Sequence, residues 1–253
     1  MADYASAIAQ GLKYTNAPAI VQINTVDDLR QWAKQAEDAN KSRIPRAIRA
    51  ARSSNYKPCM LGFDMGEFQY DPWFDLWSQG TSAKSATRTA SNVYNFSYWQ
   101  YVDSFYYFGH NFVTIPPLVW TNCAHKNGVE CFGTVNLNNL STTALEDFCK
   151  LDKPPSGGPL YGQEAIELLL AIQTAFGFDG YLVNCENPPP QTSSTDGMLE
   201  ILKRLKDRGC KTIWYDGPFS TKQSGVYDNR LTTAAYPFFQ NPSYFQSNYL
   251  WGT

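Results

Sequence analysis

The sequence predicts an α/β fold of the (β/α) TIM-type barrel kind. From about Pro58 onward, short apolar runs alternate with amphipathic helical segments, the pattern of successive parallel βα units. Helical segments stop at Gly128 and Gly209, which lead directly into the next run, and several runs end in residues able to hold a ligand. Barrels of this type build their active sites at that C-terminal face of the strands.

Six runs read as strands: residues 58–64, 104–108, 129–136, 180–186, 211–216 and 244–251. Between them, Pro116-Pro117 opens a helix that Gly128 closes, residues 142–150 make a short helix, residues 161–176 a strongly apolar one, and residues 194–208 one that stops at Gly209. Upstream, the run from Thr25 to Trp32 has the form of a capped helix start, so residues 1–55 are expected to be a helical lead-in packed on a catalytic barrel spanning residues 56–253. A complete barrel has eight strands, so its last one or two βα units are expected to be missing.

Composition narrows the function. Of 253 residues 43% are hydrophobic, enough for a sizeable core, and the net charge is -2 with basic residues scattered apart from one helical run at 203–208. Nucleic acid is therefore excluded as a partner. No apolar stretch is long enough to cross a membrane, and the start lacks the charged and apolar regions of a secretory signal; the expected compartment is the cytosol. The six cysteines show no Cys-x-x-Cys spacing, and Cys59, Cys131, Cys185 and Cys210, in or beside strands, are expected to be reduced core thiols. Aromatics are abundant at 15%, which suits either a core or a sugar-binding cleft, and composition leaves both open.

The run from Gly177 to Pro188 carries the most chemistry. Side chains alternate faces along a strand, so Asn184 and Glu186 project to one side at the end of an apolar run. An amide and a carboxylate there are costly to bury without partners. By itself the pair suits a capped loop as well as a site. Other strand ends offer Asp64, then Trp214, Tyr215 and Asp216, then Asn248, Tyr249 and Trp251. The two histidines, His110 and His125, lack acidic neighbours at ligand spacing, so no metal and no cofactor is expected, and His125 is expected to contact the barrel exterior.

Three further stretches, Tyr98-Trp99-Gln100-Tyr101-Val102-Asp103, Ile115-Pro116-Pro117 and Trp120-Thr121-Asn122-Cys123-Ala124-His125, precede Gly177-Phe178-Asp179-Gly180 through Asn184-Cys185-Glu186-Asn187 and then Trp214-Tyr215-Asp216. In this order they resemble the cytosolic-type endo-β-N-acetylglucosaminidases of glycoside hydrolase family 85. The resemblance implies a barrel that cleaves the β-1,4 bond between the two core GlcNAc residues of N-linked glycans, glycopeptides or free oligosaccharides with retention, the substrate's own 2-acetamido oxygen serving as nucleophile through an oxazoline. It implies Glu186 as acid and then base, Asn184 as the holder of the acetamido group, and Tyr215 as a hydroxyl donor to it. Tyr227 and Asn229 are the substrate contacts it implies, and the strand ends add Asp64, which serves either as a substrate contact or as a structural residue, Asn248, Trp214 and Trp251; Trp214 and Trp251 serve either as sugar platforms or as barrel wall, and wall is favoured for Trp214 because Tyr215 takes the opposite face. Against the family pattern, Phe63-Asp64 replaces His-Asp, residues 133–139 lack an acid and an aromatic, and Tyr227-Asp228-Asn229 stands for Trp-Gln-Asn. These departures leave a catalytically impaired glycan-binding barrel as the alternative.

Overall fold

Six strands lie side by side in chain order, each parallel to the next, as the alternation of apolar runs and helices predicts. A computed structural model describes residues 23–32, 42–53, 55–64, 96–116, 118–151, 160–187, 191–217, 219 and 226–249. In chain order the strands are β1 (Met60–Asp64), β2 (Ser104–Phe108), β3 (Val113–Thr114), β4 (Glu130–Asn136), β5 (Gly180–Asn184), β6 (Lys211–Tyr215) and β7 (Tyr244–Gln246). β3 is the exception, antiparallel to the second half of β4. β2 pairs with β4 only through residues 104–106, and β3 takes the same edge where β2 leaves it.

The helices are α1 (Val26–Trp32), α2 (Leu118–Lys126), α3 (Thr142–Cys149), α4 (Gly162–Phe176), α5 (Thr192–Asp207) and α6 (Tyr236–Gln240). Their punctuation is that of the sequence. Asp28 accepts from the backbone N–H groups of Asn24 and Thr25, and the Thr25 hydroxyl accepts from Asp28 in return, a reciprocal cap on α1. Ser141 caps α3 by accepting from Ala144. Gly177 ends α4 at φ 71°, a left-handed conformation open to glycine at little cost.

Alternation along the strands splits the core in two. Tyr181, Val183 and Trp214 point outward and pack with Ile166, Leu169, Phe176, Leu202 and Leu205 of the covering helices. Phe132, Leu182 and Ile213 point inward, packed with Tyr106 and Tyr244. Across this concave side, the Phe132 and Tyr244 rings lie 6.0 Å apart, and Gln246 Nε2 on β7 donates to the Tyr106 hydroxyl on β2 at 3.1 Å. Strands that are distant in the sheet meet through its interior, so the sheet is curled, a partial (β/α) barrel of TIM type.

Residues 42–53 run without regular secondary structure past the N-terminal ends of the strands. Ser42 N–H donates to Phe176 O and Ala47 N–H to His125 O, while the Arg49 guanidinium donates to the carbonyls of Asn127, Val102 and Trp99. Arg46 pairs at 2.6 Å with Glu130, which also accepts from Lys211 and from the Tyr244 hydroxyl.

Three expectations need correction. The fourth run, β5, stops being a strand at Asn184, so Glu186 stands at the start of the following loop. The last strand ends at Gln246, because residues 247–249 leave the ladder and Asn248 turns its amide to Asn229, at 2.6 Å. Cys59 is exposed, since it precedes β1 and not its core-facing run, whereas Cys131, Cys185 and Cys210 are buried as expected.

Candidate active site

A cleft of about 640 Å³ opens at the C-terminal ends of the strands, where a barrel enzyme holds its substrate. Asn184, the last residue of β5, and Glu186 both line it, and so does Tyr215, the last residue of β6. The i, i+2 spacing brings the amide and the carboxylate to one opening, as strand alternation predicts. Gly62, Tyr106, Phe108 and Leu182 form its floor and wall, with Asn136, Asn138 and Asn139 on the loop side and Gln246 and Tyr249 opposite. Gly62 leaves room for the Tyr106 ring, which a Cβ there would meet at 1.9 Å and push aside.

Both oxygens of the Glu186 carboxylate are held. Tyr227 donates its hydroxyl to Oε1 at 2.7 Å, and Asn138 Nδ2 donates to Oε2 at 2.9 Å. Burial, the hydrogen bond to Glu186 and its charge push the Tyr227 hydroxyl well above the usual tyrosine range. Burial first, and then the nearby Glu186 charge, push Tyr215 up to about 12, so its hydroxyl keeps its proton and remains a donor at neutral pH.

The orientation of Asn184 follows from its neighbours. Asn136 Oδ1 accepts from the backbone N–H of Asn138 at 3.2 Å and from Asn184 Nδ2 at 3.4 Å. A backbone N–H can only donate, so the atom facing it is the Asn136 oxygen, and the Asn184 group facing that oxygen is its NH2. This leaves the Asn184 carbonyl oxygen to accept from a ligand.

The remaining candidates divide. Trp214 is not a sugar platform: it is fully buried, stacked on Phe238 with ring centroids 4.5 Å apart and flanked by Phe219, so it presents no face to the cleft. Tyr227 reaches the site through Glu186. Asn229, at φ 50°, and Asn248 bond each other beside that segment and are absent from the cleft lining among the described residues. Asp64 closes β1 in register with Phe108, but its side chain lies outside the described residues, as does all of Trp251.

Asn136, Asn138 and Gln246 were not among the sequence candidates. The same i, i+2 spacing that marks Asn184 and Glu186 also marks Asn136 and Asn138 at the end of β4, and that signal was present in the sequence. His125, near the end of α2, is buried where it reaches Asp179 Oδ2 at 2.9 Å and Ile44 O at 2.8 Å beneath the strands. Asp179 also accepts from the Cys131 N–H at 2.8 Å.

Comparison with known proteins bears on this site. Over 249 residues the chain is 32% identical to the cytosolic endo-beta-N-acetylglucosaminidase of Mus musculus, covering 94% of this chain and 31% of the relative. The Homo sapiens protein of the same name is 30% identical over 250 residues, at 94% and 31% coverage. Cytosolic endo-beta-N-acetylglucosaminidase 2 of Arabidopsis thaliana is 31% identical over 220 residues, covering 84% of this chain and 28% of the relative. The chain thus spans about a third of the length of these curated relatives. Residues 78–253, which include every residue placed in the cleft except Gly62, match the model of glycosyl hydrolase family 85, and the chain belongs to that family.

Proposed function

We propose that this chain carries the acid/base site of a retaining endo-β-N-acetylglucosaminidase acting in the cytosol on N-glycans, glycopeptides or free oligosaccharides with a chitobiose core. The observation that carries the reading is the pair Asn184 and Glu186, an amide and a carboxyl delivered to one cleft by the end of β5. The names of the relatives support the activity and the compartment, and no helix among the described residues is long and apolar enough to cross a membrane.

The chemistry follows from the groups present. Protonated Glu186 gives its proton to the glycosidic oxygen while the substrate's acetamido oxygen attacks C1; the C1–O bond breaks and the ring closes to an oxazolinium ion, the protonated oxazoline, which keeps the acetamido N–H. The Asn184 carbonyl accepts from the acetamido N–H, which orients the oxygen for attack and offsets the positive charge that grows on the amide. Tyr215, which keeps its proton, donates to the same group. Glu186, now a carboxylate, takes a proton from water as that water attacks C1 from the side of the departed sugar, which restores the configuration and reopens the acetamide. A sugar hydroxyl in place of water gives transglycosylation. Tyr249, exposed at the rim, is the aromatic surface best placed to meet a pyranose face.

The test is incubation with a high-mannose glycopeptide, read by mass spectrometry. Release of the glycan with one GlcNAc left on the peptide is expected, reduced roughly 10²–10⁴-fold in Glu186→Gln. Asn184→Ala should lose hydrolysis of the glycan more severely than that of a preformed oxazoline. Binding without release by the native chain overturns the enzyme reading in favour of a glycan-binding barrel.

A further inference from the structure

We propose that Asn138 is a positioning residue that fixes the Glu186 carboxyl and selects Oε1 as the oxygen that carries the transferred proton. This rests on the reading of Glu186 as proton shuttle. The contact is double. Glu186 donates its backbone N–H to Asn138 Oδ1 at 2.8 Å, and Asn138 Nδ2 donates to Glu186 Oε2 at 2.9 Å. The first bond settles the second: a flipped amide would set its NH2 against a backbone N–H, so the NH2 must face the carboxylate.

Asn138 is itself held on a short 3-10 turn, Leu137–Asn139, whose Leu137 is fully buried. Asn136 Oδ1 accepts the Asn138 N–H, and Asn139 Nδ2 donates to His110 O. The clamp therefore has little freedom of its own.

The chemistry of the two partners differs. An amide NH2 can only donate, so Oε2 remains an acceptor whether Glu186 is charged or neutral. The Tyr227 hydroxyl at Oε1 donates to the carboxylate and, after rotating, accepts from the protonated acid. Only Oε1 can gain and lose a proton without setting a donor against a donor. Both partners are neutral, so neither permanently holds Glu186 in one charge state, as a lysine or arginine would.

The direct test is NMR titration of the protein labelled with 13C at the glutamate carboxyl carbon, the Glu186 signal being assigned by its loss in Glu186→Gln. Asn138→Asp places a carboxylate where the donor stood, and the Glu186 midpoint should rise by about one pH unit or more. Asn138→Ala should raise it less. An unmoved midpoint in both variants, with native circular dichroism, overturns the proposal. The titration needs no turnover, so it tests Asn138 even in a native chain that releases no glycan, while release itself tests the enzyme reading. Where release is measured, Asn138→Ala should lower kcat about tenfold with KM nearly unchanged, and Asn138→Asp should move the alkaline limb of the pH profile upward; a change in KM alone counts against a positioning role.

Discussion

Asp216 shows what a single side chain at the strand ends can cost. It follows Tyr215 and is 1% exposed, and its Oδ2 has no hydrogen-bond partner among the described residues. Burial, and then the Asp228 charge, push its carboxyl up to about 7 from the ordinary 3.8. A carboxyl with a raised folded-state pKa binds its proton more tightly when folded. Stability linked to it is therefore fully present below the unfolded value near 4 and is lost as pH rises toward 7. Asp216→Asn should raise the melting temperature at pH 8, with the gain vanishing near pH 4; an equal gain at both pH values would mean that charge is not the cause. The sequence placed Asp216 at a strand end but held no sign of its isolation, which depends on where Asp228 returns. By contrast, the shared direction of Asn184 and Glu186 was legible from spacing alone, because alternation is a local property.

At the scale of elements, close backbone contact positions the helices. A Cβ on Gly197, in α5, would lie 1.7 Å from Cys149 O at the end of α3, and one on Gly180 would lie 1.9 Å from Lys211 O across β5 and β6. In both cases the obstacle is backbone, which cannot swing aside as a side chain does. Gly197→Ala should thus cost about 2–3 kcal/mol, seen as a lower urea midpoint at unchanged m-value; a loss under half a kcal/mol would show that the helices separate freely. Glycines 128 and 209 were readable as helix stops, whereas Gly197, inside a helix, reads only as a weak helix former until its neighbour is known. β3 escaped reading for a related reason: its two residues, Val113 and Thr114, form a strand only because β2 leaves that edge of β4 free. Nor did spacing show that Trp214 is wall through contact with Phe219 and Phe238, though the opposite face taken by Tyr215 pointed that way.

At the scale of the whole molecule, the end of the sheet away from the cleft is closed by charge. His125 Nε2 meets Asp179 Oδ2, while Arg46 pairs with Glu130 at 2.6 Å and lies 3.6 Å from Asp179. Burial alone would lower the His125 pKa, and the Arg46 charge opposes protonation too. The hydrogen bonds to Asp179 and Ile44, with the Asp179 charge, outweigh both and raise it above the ordinary 6.5. A histidine raised in the folded state contributes stability that is fully present below about 6.5 and is lost as pH rises through the folded value. The melting temperature should therefore fall on going from pH 6 to pH 8.5, and His125→Gln should flatten that part of the slope; an unchanged slope would show that the imidazole is not its source. The parallel order of the six strands was legible in the sequence, since it follows from alternating runs, but this ion cluster was not, because Arg46, Glu130, Asp179 and Lys211 meet only when the sheet curls.

The two partners of Glu186 reach it from opposite directions along the chain, Asn138 from 48 residues before it and Tyr227 from 41 residues after it. Each contact closes a long loop, and long loops close late. On refolding from denaturant, helical signal should accordingly return before the carboxyl is gripped, so the competent site marks the end of folding and not its beginning.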